Sequence, residues 1–126
     1  MKKIFLILTC LFSTSLWAKY AGTNPLITPE QLLESPEKYV VLDVRSKQEF
    51  DDGHIEGAIN IPHYSVMEKL DTINSWQDKT IVVHCRSGKR AWVAEQMLMK
   101  KNVNNLAHLK GDMLAWKASK LPLIKN

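Results

Sequence analysis

A six-residue segment, Cys-Arg-Ser-Gly-Lys-Arg at positions 85–90, combines the residue types that a reactive thiol requires. A cysteine attacks as the thiolate, and nearby positive charges favour that form over the neutral thiol. The cations of the segment would also attract an anionic substrate, while Gly88 would let successive backbone N–H groups turn toward it. We therefore predict that Cys85 is a catalytic nucleophile at the head of an anion-binding loop. The predicted substrate-binding residues are Arg86, Ser87, Gly88, Lys89 and Arg90.

The cysteine count supports a reactive role for this thiol. The chain has two cysteines, Cys10 and Cys85. Cys10 lies in a stretch with the layout of a secretory signal peptide, in which a basic start is followed by an apolar run and by small residues up to Ala18. Removal of that peptide would leave Cys85 without an intramolecular partner. A lone thiol in an exported chain indicates intermolecular pairing or a reactive cysteine, unless it is buried and inert.

The N-terminal stretch also predicts the domain organisation. We expect residues 1–18 to be a cleaved signal peptide and residues 19–126 to form a single domain in the periplasm or another exported location. The apolar run at 4–12 is shorter than the roughly 20 apolar residues that span a bilayer, so no membrane association is expected after cleavage. Loss of Lys2 and Lys3 would lower the formal net charge from +4 to +2, which is too small to indicate a nucleic-acid partner.

The elements that must position Cys85 alternate between strands and helices. Apolar, β-branched runs predict strands at 39–44, 58–62, 80–85 and 105–109. Capping residues and apolar periodicity predict helices that start after Thr28 and Ser46, and further helices over 65–74, 88–101 and 112–119. This alternation predicts a parallel sheet with helices on both faces. Cys85 would then lie between the carboxyl end of a strand and a helix N-terminus, where backbone N–H groups favour anions.

Three segments carry a resemblance to a known family. Residues 42–62, LDVRSKQEFDDGHIEGAINIP, resemble the N-terminal signature of rhodanese domains. The loop CRSGKR is similar to the six-residue active-site loop of single-domain rhodaneses, and LKGDMLAW at 109–116 resembles the family's closing segment. The resemblance runs over residues 26–120 and is nearest to small exported rhodaneses of the phage-shock-protein kind. The chain departs at Glu56, where proline is frequent, and at Asp112, where a second glycine is common.

The resemblance implies both a fold and an activity. The fold would be a three-layer α/β/α domain with a central, mostly parallel sheet of about five strands. The activity would be that of a thiosulfate sulfurtransferase, in which Cys85 takes a sulfane sulfur from thiosulfate or a similar anionic donor. The resulting persulfide would pass the sulfur to cyanide, a thiol or a protein acceptor. No cofactor is implied, and the histidines lack the spacing of a metal site.

Two other functions are compatible with the same loop. The tyrosine-phosphatase signature is His-Cys, five residues and then Arg, and it would require an arginine where this chain has Ala91. The loop is one residue shorter and favours a sulfur atom over a tetrahedral phosphate, although a phosphatase or arsenate reductase remains an alternative. A non-catalytic sulfur-carrier module is the second alternative.

Three residues beside the loop are candidates for supporting roles. Asp43 and Arg45 follow a predicted buried strand, and we expect them to form an ion pair or to brace the loop by hydrogen bonds. His84 precedes the nucleophile and could serve as a base. Since alternate strand residues face opposite sides, the preferred interpretation is that its side chain points away from the thiol.

Overall fold

The computed structural model describes residues 24–126, so the predicted signal peptide and Cys10 lie outside the described residues. Among residues 24–126, five strands form one sheet with the order β1-β5-β4-β2-β3, and every neighbouring pair is parallel. The predicted parallel sheet of about five strands is confirmed. The strands are β1 (Leu26–Ile27), β2 (Tyr39–Asp43), β3 (Ile59–Asn60), β4 (Thr80–His84) and β5 (Leu106–Leu109).

Helices connect these strands. The α-helices are α1 (Pro29–Glu34), α2 (Lys47–Asp52), α3 (Leu70–Asn74), α4 (Lys89–Lys100) and α5 (Asp112–Ala118), and two 3₁₀ helices span Pro36–Lys38 and His63–Lys69. Both α1 and α2 begin with a capping box, in which Thr28 or Ser46 exchanges hydrogen bonds with the residue three positions later. These starts agree with the predicted caps.

Several predicted elements differ from the structure in their bounds. The strand predicted over 58–62 is only Ile59–Asn60, and the strand predicted over 80–85 ends at His84. The α-helix predicted over 65–74 is wrong in its first half, which continues the 3₁₀ helix from His63 to Lys69. Val66 and Ile73 are buried all the same, so their spacing does not discriminate between the two helix types. The sequence pattern also does not predict β1, because a two-residue strand is too short to show a period.

The sheet separates two apolar clusters, which makes the domain a three-layer structure. Alternate residues of β4 face opposite sides, so Ile81 and Val83 join one cluster and Val82 joins the other. The first cluster includes Ala91, Ala94 and Leu98 of α4, together with residues from the 3₁₀ and α3 segment. The second includes Leu32 of α1 and residues from α5. The α/β/α architecture that the family resemblance implies is therefore present.

The parallel sheet gathers several connections at one edge. The segments that follow β2, β3, β4 and β5 all leave the carboxyl ends of their strands. β4 lies between β2 and β5, so the loop after β4 is flanked by the segments that begin at Val44 and Lys110. Candidate ligand sites in open α/β sheets lie at this edge.

Candidate active site

Cys85 directly follows β4 and heads the loop that leads into α4. Its residue surface is 1% exposed, and its Sγ accepts a hydrogen bond from the N–H of Gly88 at 3.0 Å. Gly88 is the N-cap residue of α4 and has a φ of +116°, a conformation that glycine adopts at little cost. The turn therefore directs a backbone donor at the sulfur, and a hydrogen bond to a thiolate stabilises that form.

The remaining residues of the loop differ in their exposure to solvent. Arg86, Ser87 and Lys89 are exposed, whereas Gly88 is buried and Arg90 is half-buried. All five predicted substrate-binding residues thus lie in the turn between Cys85 and the first helical turn of α4. The two exposed cations can contribute to a positive surface around the thiol and attract an anion.

Arg90 is held by a carboxylate. Its Nη1 and Nη2 donate to Oε1 and Oε2 of Glu49 at 2.7 and 3.0 Å. The hydrogen bond from Arg90 lowers the pKa of Glu49 to about 2. The same bond raises the pKa of Arg90, and the charges of Cys85 and Asp43 contribute to that increase. Arg90 is therefore a fixed cation near the sulfur and differs from the two exposed cations of the loop.

Asp43 and Arg45 form the expected ion pair behind the site. Nε and Nη2 of Arg45 donate to the Asp43 carboxylate at 2.8 to 3.1 Å, and both residues are buried. Nη2 also donates to the carbonyl of Gly53, and the amide of Asn60 donates to the carbonyls of Asp43 and Arg45. The pair braces the segment after β2 with hydrogen bonds, which is a structural role beside the Cys85 loop.

His84 is fully buried, and its ring nitrogens contact groups other than the thiol. Nδ1 lies 3.1 Å from the Cys85 carbonyl, to which it must donate, and Nε2 lies 3.6 Å from Oδ2 of Asp43 without a hydrogen bond. Burial lowers the pKa of His84, although the charge of Asp43 opposes this effect. A neutral imidazole that donates to a carbonyl agrees with the preferred interpretation that His84 points away from the sulfur.

Three charged residues behind the loop were not among the predicted site residues, and of these Glu95 and Asp112 are buried whereas His108 is half-buried. Glu95 of α4, His108 of β5 and Asp112 of α5 join in consecutive hydrogen bonds, and Asp112 also accepts the N–H of Cys85 at 3.0 Å. The only sequence signal was the departure from the family pattern at Asp112. Periodicity assigns residues to faces of helices and strands, but it does not show which faces meet.

The described part of the chain offers no metal site. Within residues 24–126, no group of three or more His, Cys, Asp or Glu side chains is arranged to hold a metal ion. Over the same residues, no helix is both long enough and apolar enough to cross a membrane.

Comparisons with known proteins find relatives that match most of this chain. An uncharacterized protein of Synechocystis is 34% identical over 86% of this chain, and the chain spans 61% of that protein's length. A protein of Allochromatium vinosum named as a sulfurtransferase is 29% identical, and the match covers 75% of this chain and 86% of that protein. Relatives that match this domain thus include a named sulfurtransferase of similar length.

Solved structures and a family model extend the comparison. A rhodanese-related protein from Thermoplasma volcanium has a TM-score of 0.72 and 29% identity, covering 81% of this chain and 99% of that one. A Rhodopseudomonas palustris protein described as a possible tyrosine phosphatase has a TM-score of 0.74 and covers 98% of this chain and 99% of that one, but at 20% identity it shows a shared fold alone. The model of the rhodanese-like domain matches residues 28–119. The chain therefore belongs to the rhodanese-like domain family.

Proposed function

We propose that this protein is a sulfurtransferase that moves a sulfane sulfur from thiosulfate, or a similar small anionic donor, to a thiophilic acceptor such as cyanide, a thiol or a protein. The observation that carries the proposal is the hydrogen bond from the N–H of Gly88 to Sγ of Cys85 at 3.0 Å. It combines a nucleophile, a backbone donor and a helix N-terminus in one turn. Family membership and a relative named as a sulfurtransferase support the same chemistry.

The reaction would proceed in two displacements at sulfur. The Cys85 thiolate attacks the outer sulfur of thiosulfate, a new S–S bond forms, and the bond to the sulfonate sulfur breaks so that sulfite leaves with the electron pair. The acceptor then attacks the outer sulfur of the persulfide, takes it and returns Cys85 as a thiolate. Backbone N–H groups of the loop would stabilise negative charge on the thiolate and on the persulfide in turn. The exposed Arg86 and Lys89 would draw the anionic donor to the loop.

Phosphate chemistry is less compatible with this loop. A phosphatase of the cysteine-loop type requires an arginine at position 91, but Ala91 is fully buried in α4 and packs in the core. The helix already begins at Lys89, so position 91 belongs to a packed helix and not to a loop. This position has no space for a guanidinium that wraps a tetrahedral anion.

The proposed reaction belongs in an exported compartment. The proposal rests on the signal-peptide layout of residues 1–18 and a cleavage after Ala18. Cell fractionation followed by intact mass measurement would test it. Recovery of an unprocessed chain in the cytoplasm alone would contradict export.

Intact mass after incubation with thiosulfate tests the sulfur transfer directly. We expect the parent protein to gain the mass of one sulfur atom, to lose it on treatment with dithiothreitol, and to form thiocyanate when cyanide is added. Cys85→Ser should remove the adduct and the turnover, because no other thiol lies within residues 24–126. Thiocyanate formation by the serine variant, or hydrolysis of p-nitrophenyl phosphate by a parent protein that forms no persulfide, would overturn the proposal.

A further inference from the structure

The start of α5 holds the back of the active-site loop. The N–H of Cys85 donates to Oδ1 of Asp112 at 3.0 Å. The N–H groups of Met113 and Leu114 donate to the carbonyls of Cys85 and Arg86, each at 3.1 Å. Both polar backbone groups of Cys85 are therefore bound by residues 112–114. The position of the nucleophile depends on how residue 112 is held.

Asp112 adopts a backbone conformation that an L-residue enters only at an energetic cost. Its φ is +53°, in the left-handed region. Its carboxylate accepts from Cys85 through Oδ1 and lies 2.9 Å from Nε2 of His108 through Oδ2. A Cβ added to Gly88 would lie 3.2 Å from the same Oδ2. The carboxylate thus fills the space directly behind the loop, and its two hydrogen bonds compensate for the strained backbone.

His108 lies between two carboxylates. Its Nε2 faces Oδ2 of Asp112 at 2.9 Å, and its Nδ1 faces Oε2 of Glu95 at 2.8 Å. The other oxygen of Glu95 accepts from the amide of Asn24 at 3.1 Å. An ionised carboxylate only accepts hydrogen bonds, so two short contacts to carboxylates require both ring nitrogens to donate. The geometry therefore favours an imidazolium at His108. We call this ring and its two carboxylate partners the Glu95–His108–Asp112 bridge.

The surroundings of the ring favour the same protonation state. Burial alone would lower the pKa of His108, but hydrogen bonds from the ring to Asp112 and Glu95, and the charges of those carboxylates, raise it to about 10. The neighbouring strands β1 and β4 place the apolar Leu26 and Val83 in register with His108. Among residues 24–126, the charged groups that contact the ring come from α4 and α5, and both are acidic.

We propose that His108 is a positioning residue for Cys85, which as an imidazolium holds the Asp112 carboxylate on the backbone amide of the nucleophile and offsets its charge behind the thiolate. This role rests on the proposed sulfur transfer for its functional consequence. The bridge itself acts on the reactivity of the Cys85 thiol, which can be measured without sulfur transfer. With a charged His108, the bridge carries one net negative charge. Without that cation, two buried carboxylates remain close behind a group that must also become an anion.

Two substitutions separate the charge of the bridge from its geometry. In Asp112→Asn, the new amide oxygen still accepts from the N–H of Cys85. The new amide N–H donates to Nε2 of a neutral His108, and the Nδ1–H of that ring still donates to Glu95. That variant keeps three hydrogen bonds and one net negative charge. In His108→Gln, one donor remains but the cation is lost, so the negative charge behind the thiolate increases. Both substitutions introduce a neutral amide side chain that is similar in size to the side chain it replaces.

The test measures alkylation of Cys85 by iodoacetamide at pH 7 together with the ¹⁵N imidazole spectrum of His108. We expect alkylation to be about tenfold slower in His108→Gln than in Asp112→Asn. One extra negative charge behind the Cys85 loop disfavours the thiolate by roughly that factor. In the parent protein, both ring nitrogens of His108 should carry protons at pH 7.5. In Asp112→Asn, one ring nitrogen should have lost its proton at the same pH.

The measurements distinguish failure of the bridge from failure of the proposed sulfur transfer. A neutral His108 in the parent at pH 7.5 overturns the bridge, and this measurement needs no variant to fold. Equal alkylation rates for folded His108→Gln and Asp112→Asn also overturn it. If the alkylation difference appears but thiosulfate leaves no persulfide on the parent, the bridge stands and the proposed sulfur transfer fails. If persulfide forms and the rates are equal, the sulfur transfer stands and the bridge fails.

Discussion

At the scale of single residues, Gly88 meets two requirements that a side chain would break. Its φ of +116° lies in a region that L-residues avoid, and its Cα faces the Asp112 carboxylate so closely that an added Cβ would lie 3.2 Å from Oδ2. Its N–H is also the donor to Sγ of Cys85. The same glycine therefore shapes the turn, accommodates the buried carboxylate and contacts the sulfur.

Gly88→Ala should impair the chemistry more than the fold. The left-handed conformation would destabilise an alanine by roughly 1–2 kcal/mol. Relief of the close contact would move the N–H away from Sγ, and we expect sulfur transfer to fall at least tenfold. The matched control is Gly57→Ala, because Gly57 has a φ of +77° and a Cβ there would meet nothing within 4 Å.

Chemical denaturation and the thiosulfate:cyanide assay distinguish the two glycine variants. Both alanine variants should lose a similar amount of unfolding free energy, and only the Gly88 variant should lose activity. Parental turnover in Gly88→Ala would show that the hydrogen bond to Sγ is dispensable.

At the scale of elements, an ion pair joins α2 to the first turn of α4. Arg90 is a cation at a helix N-terminus, where the helix dipole disfavours positive charge. The bidentate contact with Glu49 offsets that effect and fixes the guanidinium beside the active-site loop. Glu49 also belongs to the capping box of α2. The pairing therefore connects the start of one helix to the start of the other.

Glu49→Gln should remove the ion pair and retain the cap, since glutamine also serves at the third position of a capping box. The pair is partly exposed, so we expect a loss of roughly 0.5–1.5 kcal/mol of unfolding free energy at pH 7. The folded pKa of Glu49 is lowered from 4.5 to about 2. Its contribution is therefore present above pH 4.5 and is lost as the pH falls toward 2.

Denaturation curves of parent and Glu49→Gln at pH 7 and pH 2.5 test this dependence on charge. The difference between them should shrink at the lower pH. Asp51→Asn serves as the control, because its partner Lys47 is exposed and lies in the same helix, so loss of this pair should change stability little. A difference between parent and Glu49→Gln that is equal at both pH values would show that packing, and not charge, holds the two helices together.

At the scale of the whole molecule, the central position of β4 brings distant parts of the chain to the thiol. β2 lies on one side of it and supplies the Asp43–Arg45 pair, while β5 lies on the other and supplies His108. α4 and α5 then place Glu95 and Asp112 against the same edge. The raised pKa of His108 links the protonation of that ring to the stability of the domain.

The protein should lose stability as the pH rises above neutral. The folded pKa of His108 is raised from 6.5 to about 10, so its contribution is complete below pH 6.5 and is lost as the pH rises toward 10. The shift corresponds to about 2–5 kcal/mol of unfolding free energy. Asp112→Asn should show a shallower decline, because its His108 is already neutral. Denaturation at pH 7, 8.5 and 10 measures both slopes, and parallel slopes would contradict the assignment.

Features that depend on neighbouring residues could be predicted from the sequence. The strand at 80–84, the glycine turn and the start of α4 are adjacent in the chain, so apolar runs and capping residues predict the position of Cys85. The ends of the elements are less certain, as the 3₁₀ helix at His63–Lys69 illustrates. Local hydrogen bonding and periodicity act over a few residues, and those signals are present in the sequence itself.

Only the tertiary structure decided which charges meet behind the thiol. Arg90 and Glu49 are 41 positions apart, and Cys85 and Asp112 are 27 apart. Their contacts depend on the order of strands in the sheet and on which helix faces pack against it, and neither is encoded by a local pattern. The candidate nucleophile could therefore be proposed from the sequence, whereas the contacts of Glu95, His108 and Asp112 behind it depend on β5 lying beside β4.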